Sequence, residues 1–317
     1  MSDARYAVGI DLGTTHCAVS ALPLQGERGE QVENGARSIT PIDQVISPGE
    51  VSSRPLLPSF LYLPHPSELA ADALRLPWGS PEHGAVGEVA RRLGARNPAR
   101  LVYSAKSWLS HAGVDRRGAL LPTRAPDDLQ KLSPGHVTER YLAHLRDAWN
   151  HAHPDEPLQR QRVTLTVPAS FDPVARELTA EAARNVGLAQ LMLLEEPQAA
   201  LYSWLQGSAG QWREQLQEGD VILVIDVGGG TTDFSLVAAR EEEGSLQLER
   251  VAVGDHILLG GDNMDLALAH QLKLRLEEQG PQLDPVQWLG LVQSAREAKE
   301  ALLQADGPES MPIAVTG

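Results

Sequence analysis

Acid, glycine and threonine residues that could hold a phosphate chain follow an apolar run in residues 221–234, VILVIDVGGGTTDF. The run is aliphatic and β-branched, which is typical of a buried strand, and it ends at Asp226. The three glycines at 228–230 let the main chain turn sharply and present bare N–H groups to an anion. Thr231 and Asp233 follow, so the pattern indicates a phosphate-binding turn, although such a turn alone is often only a turn.

The same pattern occurs a second time near the N-terminus. Residues 7–15, AVGIDLGTT, again give a strand, an acid at Asp11, a glycine at Gly13 and two threonines. Each copy is predicted to continue as a meander, which reverses at GERG (26–29) in the first copy and at EEEG (241–244) in the second. Two copies of one meander predict two similar domains that face each other with a ligand between them.

Composition limits the classes of function that remain. The chain has 317 residues, 42% of them apolar, and a net charge of −15. The length is typical of two domains, and the acidic charge argues against nucleic acid or an anionic membrane as the main partner. A single cysteine, Cys17, excludes an internal disulfide, and the sequence has no signal-peptide pattern and no run of membrane-spanning length. These features predict a soluble, cytoplasmic protein.

The elements between the two turns predict a parallel sheet with crossover helices. Strands at 163–167 and 191–194 each precede a helix, which is the order of such a sheet. Between about residues 40 and 135 many prolines interrupt the pattern, and this indicates an inserted subdomain. Two short helices are predicted there, at 85–93 and at 98–109.

These motifs resemble the nucleotide-binding domain of the DnaK-type, seventy-kilodalton heat-shock chaperones. VGIDLGTTHCAV and VIDVGGGTTDFSL look like the two phosphate loops of that family, and TVPASFDPVAR, LLEEPQAAL and GDHILLGGDNMD match later segments in order. A filament-forming actin relative would share the loops but not the later segments. The resemblance implies an α/β fold, the duplicated actin-like ATPase (ribonuclease H-like) fold, with two lobes around a nucleotide cleft.

The resemblance also implies a division of the chain. The expected parts are a lobe I core with the first phosphate loop at 1–40 and 136–209, an inserted lobe I subdomain at 41–135, a lobe II core with the second loop at 210–256, and a lobe II outer subdomain at 257–317. The last apolar run, 311–316, is predicted as a strand with nothing after it to pair with. The second lobe is therefore expected to be truncated, and this chain is expected to bind ATP weakly or not at all.

The resemblance implies binding of ATP or ADP with Mg²⁺, which Asp11 and Asp226 would hold through water. The implied phosphate-binding residues are those of the two turns: Gly13, Thr14, Thr15, His16, Gly228, Gly229, Gly230 and Thr231. Asp226, Thr231 and Asp233 are implied to help catalysis by placing the metal and the attacking water. Glu196 is the candidate for orienting that water, and the alternative is an ordinary carboxylate at a helix start.

Further roles follow from matching segments of the same family. One helix is implied to line the adenosine pocket through Arg296, Lys299, Glu300 and Leu303, of which Glu300 and Leu303 depart from the family pattern. Pro168 and Arg176 match residues through which the family couples the nucleotide state to the rest of the molecule.

A departure is predicted at the catalytic lysine of the family. The segment VGEVARRLGARNPARLVYSAK aligns without a gap to the segment that carries this lysine, and the alignment puts Arg91 at its position. Arginine replaces a compact ammonium by a planar fork, so slow hydrolysis or a bidentate clamp on the γ-phosphate is expected. The alternative is that Arg91 is a surface residue beside Arg92 and that the alignment is slipped.

Three functions remain open from the sequence. The first is the ATPase domain of a chaperone whose nucleotide state gates a C-terminal peptide-binding region, with ATP, peptide clients and cochaperones as partners. The second is a nucleotide-sensing relative with weak or no hydrolysis, which Arg91 and Glu300 favour. The third is an actin-like filament protein.

Overall fold

The computed structural model describes residues 4–24, 38–81, 83–208, 210–242, 245–255, 257–278, 280 and 282–315. The strands are β1 (Tyr6–Leu12), β2 (His16–Pro23), β3 (Ser38–Ile39), β4 (Ile42–Ser47), β5 (Glu50–Arg54), β6 (Leu57–Pro58), β7 (Phe60–Tyr62), β8 (Ala85–Val86), β9 (Leu101–Tyr103), β10 (Arg162–Val167), β11 (Leu191–Glu195), β12 (Val221–Val227), β13 (Thr232–Glu242) and β14 (Ser245–Val253). The α-helices are α1 (Glu88–Arg96), α2 (Ala105–Ser110), α3 (Pro134–Ala152), α4 (Pro173–Asn185), α5 (Glu196–Gly207), α6 (Trp212–Gln215), α7 (Gly261–Glu277) and α8 (Pro285–Leu302).

The first sheet has the order β11-β10-β1-β2-β3, and β6 also pairs with β2. Strands β1, β10 and β11 run parallel, as the strand–helix order predicts, whereas β2 is antiparallel to β1. Ile10 and Leu12 of β1 are buried in a core that includes Leu142 and Leu145 of α3. Because side chains alternate along a strand, this burial places Asp11 on the opposite face.

The second sheet, β12-β13-β14, repeats the meander of the first. In each sheet a strand that carries an acid at or near its end turns through glycine and threonine into an antiparallel strand. Asp226 lies directly opposite Asp233 in the second ladder. The predicted α/β class and the repeated meander are therefore confirmed. The predicted turn at 26–29 lies outside the described residues, as do residues 243–244 of the second turn.

The prediction of two helices in the inserted region is only partly correct. Ala85 and Val86 form β8, and α1 begins at Glu88 after Gly87, whose φ is +89°. The predicted helix at 98–109 is wrong. These residues instead form a 3₁₀ turn at Pro98–Arg100, strand β9 and most of α2.

The break at 98–109 has a physical cause. Strand β9 pairs with β7, and its Leu101 and Val102 are 3% and 1% exposed, so the extended conformation is stabilised by this pairing and by burial of both side chains. Ser104 then adopts a left-handed conformation with φ 53°, which ends the extended segment and starts α2 in a new direction. Lys106 follows within the first turn of that helix.

Helices α7 and α8 pack on each other around Ala269, Leu291, Val292 and Ala295. The predicted strand at 311–316 is not formed: residues 311–315 are irregular, and Thr316 lies outside the described residues. Ile313 pairs with no strand and instead packs against the α7–α8 cluster. In the described part of the chain, none of the helices has the length and apolar character that crossing a membrane requires.

Candidate functional site

A cavity of 720 Å³ lies between the two glycine–threonine turns. Its charged lining consists of Asp11 at the end of β1, Lys106 on α2, Glu196 at the start of α5 and Asp226 at the end of β12. Most of the predicted phosphate-binding residues line it as well: Gly13, Thr14, Thr15, His16, Gly228, Gly229 and Thr231. The structure therefore brings together two turns that are far apart in the sequence.

The first turn is held from behind by Ser59. The Oγ of Ser59 donates to the Gly13 carbonyl at 2.8 Å, and the backbone N–H of Ser59 donates to the Thr15 carbonyl at 2.8 Å. The buried hydroxyl of Tyr141 on α3 donates to the Ser59 carbonyl at 2.9 Å. These bonds connect the first turn to the main core, so Ser59 and Tyr141 stabilise the conformation of the turn.

The second turn rests on the N-terminus of α7. The N–H of Gly228 donates to the Thr231 carbonyl at 2.8 Å within the turn. The N–H of Gly261 donates to the Gly228 carbonyl at 3.1 Å, and that of Asp262 donates to the Gly229 carbonyl at 2.7 Å. Carbonyl oxygens of the turn thus satisfy N–H groups at the start of α7 that have no partner within their own helix.

The two turns touch each other at glycines. A Cβ placed on Gly229 would lie 2.2 Å from Cγ2 of Thr15, and one on Gly230 would lie 2.2 Å from Oγ of Ser107. Gly230 is buried beside the cavity. A larger residue at Gly229 therefore displaces Thr15 of the first turn, and one at Gly230 displaces Ser107 of α2.

We expect Gly229→Ala to weaken ATP binding by about tenfold, because the added methyl displaces Thr15 and widens the distance between the phosphate-facing turns. The measurement is calorimetric titration with Mg-ATP. Gly207→Ala is the matched control, since a Cβ at Gly207 meets nothing within 4 Å. Equal ATP affinity in the two variants would show that contact between the turns does not matter for binding.

Lys106 and Glu196 form an ion pair inside the cavity. Their side chains are 10% and 18% exposed. Burial raises the pKa of Glu196, the Lys106 ammonium opposes this shift, and the carboxylates of Asp11 and Asp226 add to it. The Thr166 hydroxyl donates to Oδ1 of Asp11 at 2.7 Å and fixes that carboxylate. The pair supplies one cation and one carboxylate at the place where the two turns meet.

Lys106 is not among the site residues predicted from the sequence, because the sequence favours one helix at 98–109 and the alignment places Arg91 at the position of the catalytic lysine. The signal was present, since Lys106 is the last residue of the aligned segment VGEVARRLGARNPARLVYSAK. Arg91 does not line the cavity. Its Nη2 lies 3.1 Å from Glu88 and its Nη1 lies 3.2 Å from Glu300. Arg92 holds the same Glu88 at 2.8 Å, so the position of Arg91 fits the slipped alignment and does not fit a γ-phosphate clamp.

The residues predicted for the adenosine pocket lie outside the cavity. Arg296 is 4% exposed and pairs with Asp262 and with Asp265. Its guanidinium also lies 4.9 Å from the centre of the Tyr103 ring. Lys299 places Nζ 2.6 Å from Asp265.

The other two predicted adenosine residues are not brought to the cavity either. Glu300 pairs with Arg91 at 3.2 Å, and Leu303 is 79% exposed. In this structure the charged members of the set, Arg296, Lys299 and Glu300, form ion pairs that connect α8 to its neighbours.

The cavity carries an excess of negative charge near Asp226. Burial raises the pKa of Asp226, and the neighbouring carboxylates of Asp233 and Asp11 raise it further. Asp233 is 3% exposed. Such mutual repulsion is relieved by a divalent cation, so these residues fit Mg²⁺. Among the described residues no three His, Cys, Asp or Glu side chains converge as a metal centre, which is compatible with a metal held largely through water.

The predicted coupling residues, Pro168 and Arg176, do not line the cavity. Pro168 is buried directly after β10, and its carbonyl accepts from the Phe171 N–H at 3.2 Å. Arg176 on α4 donates to Glu195 at 3.2 Å, and Glu195 also pairs with Arg250 of β14. Arg176 is thus linked through Glu195 to the second sheet.

Comparison with known proteins identifies relatives over most of the chain. The family model described as Hsp70 protein matches residues 80–313. The chain is 32% identical over 95% of its length to a chaperone protein HscA homolog of Pseudomonas putida KT2440, of which it covers 43%. It is 31% identical over 96% of its length to an HscA homolog of Bordetella pertussis, again covering 43%. The chain thus spans less than half the length of these relatives. With the family match extending over most of the sequence, the chain belongs to the Hsp70 family.

Proposed function

We propose that the cavity between the two turns binds Mg-ATP and hydrolyses it, and that the nucleotide state gates a peptide-binding region in the manner of a DnaK-like chaperone. The observation that supports this most is the Lys106–Glu196 pair in one cavity with both glycine–threonine turns. A phosphate chain needs N–H donors and cations at close range, whereas a water that attacks it needs an oriented carboxylate. The lining contains each of these groups.

In this proposal the N–H groups of the two turns bind the phosphates, and the Lys106 ammonium neutralises charge on the γ-phosphate. Glu196 orients the attacking water. Thr231 and Asp233 help to place the metal and the water. Bound Mg²⁺ would neutralise phosphate charge, with Asp11 and Asp226 holding it through water.

A second candidate is a nucleotide-sensing module with little turnover. It is favoured by the residues that were expected to line the adenosine pocket. The side chains of Arg296, Lys299 and Glu300 are all engaged in ion pairs. Arg91 does not support this candidate, because a lysine, Lys106, lines the cavity as its cation. Cytoplasmic location, peptide clients and cochaperones belong to the proposal and follow from the resemblance.

Single-turnover hydrolysis at saturating Mg-ATP tests the proposal and separates the two candidates. The ATPase proposal predicts that the unmodified chain converts bound ATP to ADP and that Glu196→Gln slows this step while ATP still binds. Binding without conversion would favour the sensing module. Absence of binding at any ATP concentration would contradict both.

We also expect Mg-ATP binding to release protons in mildly acidic solution. The pKa values of Glu196 and Asp226 are raised mainly by burial. Each carboxyl therefore keeps its proton to a higher pH than an ordinary Glu or Asp side chain does. A bound cation favours the ionised form, so binding displaces these protons and affinity increases as the pH rises through the raised pKa values. Calorimetry in mildly acidic solution, in two buffers of different ionisation enthalpy, measures this release.

The matched measurement at neutral pH serves as the control, because fewer of these carboxyls keep their protons as the pH rises, and the release should therefore be smaller there. Asp226→Asn should reduce the release, since it removes one of the titrating groups. Identical binding heats in both buffers in the acidic titration would show that no proton leaves.

A further inference from the structure

A second cavity, of 380 Å³, lies away from the two turns and is lined by α3 and by residues within 74–81 and 83–86. Its inner wall is apolar and includes Val45 of β4, Leu76 and Val89 of α1, which are 3%, 7% and 1% exposed. Its volume is within the range of small-molecule sites, which are mostly apolar with a few placed polar groups.

One polar group in this cavity is Arg140 of α3. Its Nε is buried and has no hydrogen-bond partner among the residues that the structure describes. A buried donor without a partner is destabilising, so the position calls for an acceptor from outside the described chain. Ala143, His144 and Asp147 line the cavity from the same face of α3.

Within the described ranges, Arg140 is the charged group of α3 in this cavity for which no ion pair is formed. Arg146 donates to Asp147 at 2.7 Å and to the Val186 carbonyl at 3.0 Å, so these two charges offset each other. Burial lowers the pKa of His144 to about 4, and its Nε2 lies 2.9 Å from the Asp43 carbonyl, so the ring is neutral. His83 lies at the exposed rim.

Trp78 provides a flat wall of the cavity beside His144. Its ring meets the His144 ring edge to face, with centroids 5.4 Å apart at 79°. The indole is half-buried, so part of it is available to a ligand. An aromatic or aliphatic body that enters here contacts both the indole and the apolar wall.

We propose that this cavity is a binding site for a small organic carboxylate with an apolar body. The carboxylate accepts from the Arg140 guanidinium, and the body lies along Trp78, Val45 and Val89. Guanidinium binds carboxylate through two parallel hydrogen bonds, and burial strengthens that pairing. The site is separate from the ATP cleft and does not depend on nucleotide chemistry.

The probe is 3-phenylpropionate, titrated into the full chain and observed by calorimetry and by the Trp78 indole resonance, which a Trp78→Phe variant assigns. We expect saturable binding that shifts this resonance. The uncharged 3-phenylpropanamide should bind about 10–100-fold more weakly, because it lacks the charge-assisted bonds. Propionate, which lacks the apolar body, should bind weakly as well.

Two variants localise the site. Arg140→Gln should weaken binding of 3-phenylpropionate by about 10–100-fold, whereas Arg124→Gln, at an exposed position outside the cavity, should leave it unchanged. Ala143→Phe places a ring in the cavity and should abolish binding. Equal binding of the amide, equal binding by Arg140→Gln, or an unshifted Trp78 resonance at the highest ligand concentration would overturn the proposal; the last would show that 3-phenylpropionate does not enter this cavity. The unmodified chain decides this last point even if a variant does not fold.

Discussion

Replacing Lys106 with alanine should lower the single-turnover rate of ATP hydrolysis by about 10²–10³-fold. Lys106 is the cation of the cavity lining, and its ammonium contacts Glu196. Its removal takes away charge stabilisation of the γ-phosphate in the transition state. It also leaves the Glu196 carboxylate without a partner, so the pKa of Glu196 should rise further and its ability to orient water should fall.

Arg91→Ala is the matched control for Lys106→Ala, since it removes the same charge from a residue outside the cavity. Its hydrolysis rate should stay within about twofold of the unmodified chain. Both variants need circular dichroism to show that they fold. If Arg91→Ala lost hydrolysis and Lys106→Ala kept it, the assignment of the cation would be reversed.

Replacing Arg296 with methionine should lower the free energy of unfolding by about 3 kcal/mol. The guanidinium is almost fully buried and holds two carboxylates, of which Asp265 is 1% exposed. Methionine fills much of the volume but leaves these carboxylates with Lys299 as the nearest cation. Thermal and urea unfolding measure the loss, and hydrogen exchange should show that it is concentrated in α7 and α8.

A double variant, Arg296→Met with Asp265→Asn, should recover part of this stability, because it removes the charge that the first change leaves unpaired. Arg92→Met at the surface is the control and should change stability little. If Arg296→Met instead weakened ATP binding and left stability unchanged, the adenosine role inferred from the sequence would be correct and the structural role wrong.

Local signals made much of the fold predictable. The turns at 13–15 and 228–231 each combine an acid, glycine and threonine within a few residues, so both meanders could be recognised without knowledge of distant contacts. Pro134 and Pro173 occupy the first positions of α3 and α4, and the aspartate and serine before them cap these helices. Such information is contained in short segments.

What the sequence could not supply was pairing between distant segments. Strand β9 forms because Leu101–Tyr103 meets β7, about forty residues earlier in the chain. Without knowledge of that pairing, residues 98–109 are compatible with a single helix. Nothing in the local sequence then indicates that Lys106 faces a cavity. The same limit applies to Arg296, whose partners at 262 and 265 come from another helix.

The central claim is that the two turns form one nucleotide-binding cleft. Amide hydrogen exchange with and without Mg-ATP tests it most directly, because it observes both turns in one experiment. The account predicts that exchange slows together at residues 13–16, at 228–231 and in helix α2, which carries Lys106. Protection of only one turn, or of neither while ATP is bound, would contradict it.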